Sequence, residues 1–186
     1  APAEAAEIED RFMIDLLRPS PGETILDIGC GTGHSMAALR NFGLQVTGID
    51  PSPYMLDIAF ALLGQQVSLY RGVAEDLPFE DNSFNHACLN TTLEFVESPV
   101  KALEEAFRVA KDRVYIGFLN PSAMGKLQSM IGGRRDPAVY RLARRQSLWG
   151  LKRMVRRLLD DVPVTWRTLC QFEAGPTGIA QRISRT

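Results

Sequence analysis

The sequence predicts an α/β protein built on a doubly wound parallel sheet with helices on both faces. Residues 25–33 read ILDIGCGTG, which is typical of a buried strand that breaks into a glycine loop and opens a helix. Residues 45–50 read QVTGID and form a second strand that ends in an acid. Further on, an amphipathic helix with apolar residues at 100, 103, 106, 107 and 110 precedes a β-branched and aromatic strand at 112–119. Strands that alternate with helices indicate parallel βα units.

The glycine loop differs in spacing from a dinucleotide-binding loop. A dinucleotide fingerprint has glycines at its first, third and sixth positions, whereas the sixth position counted from Gly29 is His34. The pattern is instead D-x-G-x-G-x-G, with Asp27 at the end of the strand. A carboxylate there suits a cationic amino-acid ligand and would repel a pyrophosphate. The spacing therefore argues against an NAD-dependent oxidoreductase, and a glycine turn in some other doubly wound protein stays open as an alternative.

Asp50 lies about twenty residues after the loop, where doubly wound folds place a carboxylate that binds ribose hydroxyls. Because Pro51, Ser52 and Pro53 follow, Asp50 could instead cap the next helix, a role for which Ser52 competes. With the glycine loop upstream, we expect the ribose role.

Two further motifs follow in order, GVAEDLPFEDNSF at 72–84 and HACLNTTLEFV at 86–96. With the glycine loop and Asp50, they resemble the class I S-adenosylmethionine (SAM) dependent methyltransferases of the small type 11 (UbiE-like) family over residues 22–119. The chain departs from the family pattern at Asn85, where an Asp is usual, and at 110–113, where a Pro-Gly pair is usual. The resemblance implies a Rossmann-like sheet of seven strands, SAM as the cofactor and S-adenosylhomocysteine as its product.

The resemblance also implies which residues contact the cofactor. Around the glycine loop and the second strand it implies Asp27, Gly29, Cys30, Gly31, Gly33, Asp50, Pro51 and Met55. After the third strand it places Val73, Ala74 and an acid, Glu75 or Asp76, around the adenine. At the end of the fourth strand, Asn90 would touch the methionine part of SAM.

Glu94 is the first candidate for a general base that deprotonates the acceptor, followed by His34 and His86. An acid at 94 could equally cap the helix that starts near Ser98. A motif used by methylases of adenine or glutamine amino groups is missing, since Asn90-Thr91-Thr92-Leu93 stands in its place. No metal is expected, because the histidines and cysteines lack metal-ligand spacing.

At 186 residues the chain is predicted to be one domain, 1–186. A helical insertion at 121–161 interrupts the alternation of strands and helices after strand five and resembles the lid that covers the acceptor in this family. We expect helices near 122–131, 137–145 and 147–160. Strand six is expected at Val162–Phe172 and an antiparallel strand seven at Gly178–Ser184.

The charge of the chain is unevenly distributed. Residues 1–110 hold 17 acids and 6 bases, whereas residues 111–186 hold 5 acids and 15 bases. In the third insertion helix, leucines and Val155 form an apolar stripe opposite a face of Lys152, Arg153, Arg156 and Arg157. This face is interpreted as a solvated helix surface, with two alternatives: a basic lid that attracts an anionic acceptor, and a contact with an anionic membrane surface. Nucleic acid ranks lower as a partner.

Composition restricts the class of protein further. No apolar run is long enough for a membrane span, and the acidic N-terminal segment lacks the apolar core of a signal peptide. Cys30, Cys88 and Cys170 are scattered, which is typical of a reducing compartment, so we expect a cytoplasmic protein. The predicted function is methyl transfer from SAM to a small-molecule acceptor, with an anionic acceptor as one candidate. The alternative is a protein that binds SAM without turnover, as a regulator or partner subunit.

Overall fold

The computed structural model describes residues 2–118, 147–160 and 163–166, with side chains from residue 7 onward. Five strands form one parallel sheet in the order β3-β2-β1-β4-β5. These strands are β1 (Thr24–Ile28), β2 (Gln45–Asp50), β3 (Ser68–Arg71), β4 (Phe84–Asn90) and β5 (Ala110–Gly117). The helices are α1 (Pro2–Leu17), α2 (His34–Asn41), α3 (Pro53–Leu63), α4 (Pro99–Val109) and α5 (Leu148–Leu159), with a 3₁₀ turn at Gly64–Gln66.

The strand order reverses between β1 and β4. From β1 the chain moves outward to β2 and β3, then returns to β4 on the other side of β1 and continues to β5. Right-handed crossovers place helices on opposite faces of the sheet for the two directions of travel. Ligands of open α/β sheets bind at such a reversal, beyond the carboxyl ends of the strands.

The core has two apolar clusters. One contains Leu103 and Ala106 of α4 with Leu151 and Val155 of α5, among others. The other contains Met13 of α1 together with side chains of α2 and α3. Since β1 lies at the centre of the sheet, four of its five residues are buried.

Local signals fix where the helices start. Ser52 and Ser98 accept hydrogen bonds from the amides of Met55 and Lys101, with a proline at the first helical position of α3 and of α4. Ser98 thus occupies the cap for which Glu94 was the alternative. On α4 the buried residues are Ala102, Leu103, Ala106 and Val109, whereas Val100, predicted to be on the apolar face, is 40% exposed.

The α/β class, the parallel sheet and its first five strands are confirmed. Strand five begins at Ala110, directly after α4, rather than at 112. A helix is present at Leu148–Leu159 (α5), where the third helix was predicted, while the insertion to which it was assigned stays a prediction. The helices predicted near 122–131 and 137–145, and strand seven, lie outside the described residues. Of predicted strand six, the structure describes 163–166, which are not in a strand. Helix α1 was not predicted.

Candidate active site

The glycine loop lies at the carboxyl ends of β1 and β2. The amides of Gly29 and Cys30 both donate to the carbonyl oxygen of Ile49, at 2.8 and 3.1 Å. These bonds hold the start of the loop against the end of β2. They also use the Cys30 amide, while the Cys30 thiol is buried in the second apolar cluster. Its carbonyl oxygen already accepts from the Gly33 amide at 3.0 Å, so the predicted cofactor contact of Cys30 is left to the second acceptor position of that oxygen and to van der Waals surface.

The three loop glycines all have positive φ, but for different reasons. A Cβ on Gly29 would lie 2.6 Å from Cγ2 of Thr92, and one on Gly33 would lie 2.8 Å from Cδ1 of Leu63. Protein packing alone therefore requires glycine at both positions. A Cβ on Gly31 would meet nothing within 4 Å, so Gly31 faces open space. Of the three, Gly31 is the one whose bare backbone is available to a ligand.

The Asp50 carboxylate is fixed beside Gly31 by two backbone amides. Its Oδ2 accepts from the Gly31 amide at 3.0 Å, and its Oδ1 accepts from the Ser52 amide at 2.8 Å. A carboxylate has about four acceptor positions, so each oxygen keeps capacity for a hydroxyl donor. Pro51 and Met55 follow Asp50 and are exposed. Asp50 thus joins the loop to β2 and remains suited to bind a diol.

Asp27, at the centre of the sheet, is a buried carboxylate. It is 3% exposed, and its Oδ1 accepts from the Cys88 thiol at 3.3 Å. Burial, with smaller contributions from the nearby charges of Asp10 and Asp50, raises the pKa of Asp27 to about 7. Burial beside Asp27 also raises the pKa of the Cys88 thiol, which keeps the thiol protonated as a donor. A cationic ligand that pairs with the ionised Asp27 carboxylate would offset the free-energy cost of burying its charge.

Sequence reasoning missed Asp10, which α1 brings to the same region. Asp10 is 6% exposed, and burial raises its pKa against the opposing effects of Ser35 and His34. The His34 ring, on the first residue of α2, lies with its Nε2 3.9 Å from Oδ2 of Asp10. Because α1 was not predicted, no signal placed its acid near the loop. Three carboxylates thus surround the glycine loop, which favours a cationic ligand over a pyrophosphate.

The loop between β3 and β4 carries the residues predicted to surround the adenine. Val73 is 46% exposed, whereas Ala74 is buried. Oε1 of Glu75 accepts from the amides of Glu97 and Ser98, at 2.7 and 3.1 Å. Since that carboxylate holds the start of α4, a cofactor contact by Glu75 must use what remains of its acceptor capacity.

A second anchor for the same loop was also missed. Arg108 of α4 donates to the carbonyl oxygens of Phe79 and Leu77, at 2.7 and 3.1 Å, and to both oxygens of Glu105 at 2.7 Å. Glu105 in turn accepts from the Leu77 amide at 2.7 Å. The pKa of Glu105 is lowered, chiefly by its hydrogen bonds with Arg108. The sequence shows an acid and a base three residues apart on a predicted helix, but it does not reveal that they contact a distant loop.

The end of β4 and the turn after it complete the region. Asn90 is half-buried, and its Oδ1 lies against Gly117, where a Cβ would collide with it. The Thr92 hydroxyl donates to the carbonyl oxygen of Ile28 at 2.8 Å, which joins this turn to β1. Glu94, the first candidate base, is only 3% exposed.

His86, the third candidate base, lies near the amino ends of the strands, on the far side of the sheet from the glycine loop. It pairs in register with Ile25, near the start of β1, and its Nε2 is 2.8 Å from Oε2 of Glu23. Ligands of open α/β sheets bind at the opposite, carboxyl ends of the strands. The hypothesis that His86 acts as a base is therefore wrong on geometric grounds.

Among the described residues, no group of three or more His, Cys, Asp or Glu side chains is arranged to hold a metal ion. No helix in the described part of the chain is long and apolar enough to cross a membrane. The polar groups at the carboxyl ends of β1 and β2 are instead the carboxylates of Asp27 and Asp50. These groups fit a ligand with an ammonium and a ribose, as SAM has.

A sequence model of the family described as "Methyltransferase domain" matches residues 26–118, which is half of the chain. The chain belongs to this methyltransferase family. An uncharacterized methyltransferase of Mycobacterium tuberculosis is 37% identical over 106 residues, covering 57% of this chain and 43% of the relative. A demethylmenaquinone methyltransferase of Clavibacter sepedonicus is 40% identical over 95 residues, covering 50% of this chain and 39% of the relative. The chain thus spans less than half the length of these relatives.

Solved structures agree with this family. A SAM-dependent methyltransferase of Thermotoga maritima superposes with a TM-score of 0.67 at 28% identity, over 84% of this chain and 71% of the other. A phosphoethanolamine N-methyltransferase of Haemonchus contortus, solved with S-adenosylhomocysteine, gives 0.64 at 23% identity, over 82% of this chain and 37% of the other, and shows the shared fold. The predicted family and SAM as the cofactor are confirmed.

Proposed function

We propose that this chain transfers the methyl group of SAM to a small-molecule acceptor. The observation that carries the proposal is Asp50, a carboxylate held by two backbone amides at the end of β2 beside the open face of Gly31. A carboxylate in that place is suited to the two ribose hydroxyls of a nucleoside. Family membership makes that nucleoside part of SAM.

The residues of the chain divide the binding of SAM between them. Asp50 would accept hydrogen bonds from the ribose, Asp27 would pair with the ammonium group, and Val73 and Ala74 would line the adenine. SAM, when bound, supplies a methyl carbon already activated by its sulfonium, so the protein's main task is to position the acceptor. The predicted contacts of Gly29, Gly33 and Asn90 complete this assignment.

A general base is needed only when the acceptor atom carries a proton that must leave. Glu94 lies in the turn after β4, at the carboxyl edge of the sheet, and remains our first candidate. His34 is the second, because its side chain is 59% exposed at the start of α2. The burial of Glu94 means that an acceptor would have to approach it through the turn at 91–95.

We further propose that the acceptor is anionic. The described site is itself acidic, with Asp10, Asp27 and Asp50 around the glycine loop. Attraction for an anion must therefore come from residues 111–186, which hold 15 bases and 5 acids. Such a division would keep the cationic cofactor and the anionic acceptor at separate parts of one site.

The alternative is that the chain binds SAM without turnover. The observation that favours it concerns the candidate bases: Glu94 is only 3% exposed, and His86 lies at the far edge of the sheet. In that case, SAM would act as a regulator of a protein that works through a partner.

Calorimetric titration with S-adenosylhomocysteine, with NAD as the comparison ligand, tests cofactor binding. We expect micromolar binding of the first and none of the second. Asp50→Ala should weaken the binding, whereas Asp57→Ala, which removes an exposed acid of α3, should not. Tight NAD binding, or equal effects of the two substitutions, would contradict the proposal.

Turnover is tested separately by following S-adenosylhomocysteine formation with phosphorylated, carboxylated and neutral acceptors. Turnover with the phosphorylated or carboxylated acceptors supports an anionic acceptor, and turnover with neutral ones alone contradicts it. Cofactor binding without turnover on any acceptor favours the alternative function.

A further inference from the structure

The outward face of α5 combines positive charge with an exposed indole. Trp149, Lys152, Arg153 and Arg156 share one side of the helix, because Lys152 and Arg153 lie three and four residues after Trp149, and Arg156 lies four and three residues after these two. Arg157 lies beside them, and the sequence from 148 to 159 contains no acid. The opposite side of α5 is occupied by the fold, since Leu151 and Val155 are buried in the cluster that includes α4. Within the described residues, the outward stripe is thus not needed for packing.

One lysine ammonium lies over two exposed indole rings. Trp149 is 81% exposed and Trp166 is 42% exposed. The Nζ of Lys152 lies 4.4 Å from the ring centroid of Trp166 and 5.9 Å from that of Trp149. Such distances are within the range of cation–π attraction. Val164, 47% exposed, adds aliphatic surface close by in the sequence.

We propose that this basic-aromatic surface (Trp149, Lys152, Arg153, Arg156 and Trp166) docks the protein on an anionic lipid bilayer. Indoles are favoured at the headgroup level, where their apolar rings leave water while their N–H groups stay hydrated. Guanidinium groups bind lipid phosphates and attract anionic leaflets. An amphipathic helix with both features is typical of proteins that lie on a membrane surface.

One observation favours a lipid surface over a nucleic acid. A nucleobase binds an indole by stacking on its face, but the Lys152 ammonium already lies over one ring face of each indole. The edges of the indoles can still enter a headgroup layer. The charge of the chain sets the orientation at the bilayer: residues 1–110 carry 17 acids against 6 bases, so an anionic bilayer would repel that part and orient the molecule with α5 toward the lipid.

The docking proposal does not depend on methyl transfer, because the surface contains none of the residues assigned to the cofactor. Its test can therefore fail while S-adenosylhomocysteine still binds, and the reverse also holds. The chain contains two tryptophans, and both belong to this surface. Intrinsic tryptophan fluorescence accordingly reports on the proposed contact alone.

The test mixes the full chain with vesicles of phosphatidylcholine containing phosphatidylserine, and with vesicles of phosphatidylcholine alone. We expect co-sedimentation and a blue shift of tryptophan emission with the anionic vesicles only. Arg153→Gln with Arg156→Gln should weaken partitioning about thirtyfold, since each basic residue near an anionic surface contributes about a factor of five. The matched control, Arg71→Gln with Lys101→Gln, removes two exposed charges on β3 and α4 and should change partitioning far less.

Equal unfolding midpoints for both double variants would show that any loss is not caused by misfolding. No binding to the anionic vesicles would overturn the proposal. So would binding with an unshifted emission spectrum, or equal losses in the two double variants. Tighter binding to polyuridylate than to the vesicles, with quenched tryptophan emission, would overturn it in favour of a nucleic-acid partner.

Discussion

Replacing Asp27 with asparagine tests whether a buried acid at the centre of the sheet is reserved for a cationic ligand. Asp27 is 3% exposed, and burial raises its pKa from the ordinary value of 3.8 to about 7. The folded chain therefore holds this proton more tightly than the unfolded chain does. Stability from this group is fully present below pH 3.8 and is lost as the pH rises through about 7. Asparagine has no charge to titrate, so its variant should lack this pH dependence.

The size of the effect follows from the two pKa values. Their separation corresponds to about 4 kcal/mol over the whole pH range. Between about pH 5 and pH 8, the unfolded chain has already lost the proton while the folded chain loses it near the upper end, so about 3 kcal/mol falls within that window. In the Asp27→Asn variant, the amide oxygen of the new side chain can still accept from the Cys88 thiol. The pH dependence, and not the absolute stability, is therefore the quantity to compare.

Urea unfolding of the ligand-free protein at about pH 5 and pH 8 measures the difference. The wild type should lose about 3 kcal/mol more than Asp27→Asn over this range. Asp57→Asn, at an exposed acid, should follow the wild type. At pH 8, Asp27→Asn should also bind SAM about ten- to a hundredfold more weakly, because a charge-assisted bond to the ammonium is lost. Parallel pH profiles for wild type and Asp27→Asn would refute the reasoning.

Four further substitutions probe the candidate site and the residues that hold it in place. Asp50→Ala should weaken S-adenosylhomocysteine binding by about 1–3 kcal/mol in calorimetry, through the lost charge-assisted bonds to the ribose, and unchanged affinity would refute the ribose role. Gly29→Ala should lower the free energy of unfolding by about 2–4 kcal/mol, because its Cβ would lie 2.6 Å from Thr92. Gly31→Ala should lower the free energy of unfolding by only about 1–2 kcal/mol, through backbone strain, but should weaken ligand binding more than Gly29→Ala does. Equal losses of stability in urea for the two variants would contradict this contrast. Arg108→Met should lower the free energy of unfolding by about 1–3 kcal/mol, since several hydrogen bonds to the loop before β4 are lost, and a urea midpoint like that of the wild type would argue against this anchor.

The parts of the fold that were predictable are those with strong local signals. The apolar run before Asp27, the acid at Asp50 and the prolines after Ser52 and Ser98 each mark the end of a strand or the start of a helix. Helix α1 was not predicted, although its buried Met13 and Leu17 lie four residues apart, which is the spacing of one helix face. Its place beside α2 depends on tertiary contacts that the sequence does not display.

The structure places Asp50 beside Gly31 at the ends of β1 and β2, whereas the cofactor contacts predicted for the site residues stay predictions. The sequence predicted all three loop glycines as ligand contacts, but Thr92 and Leu63 explain Gly29 and Gly33 by packing. Glu75 was assigned to the adenine, whereas its carboxylate holds the start of α4. Such roles depend on partners more than 20 residues away along the chain, which spacing within a motif cannot reveal.

The loop that precedes β4 is hydrogen-bonded to both ends of helix α4. Glu75 is tied to the capping residue of α4, Ser98, and to the residue before it, and the carbonyl of Phe79 is tied to Arg108 in the last turn of the helix. Helix α4 therefore fixes the distance between the loop expected to surround the adenine and the turn that carries Glu94. A mutation that tilts α4 would shift the loop and the turn together, so loss of cofactor affinity in such a mutant need not mean that a contact residue has changed.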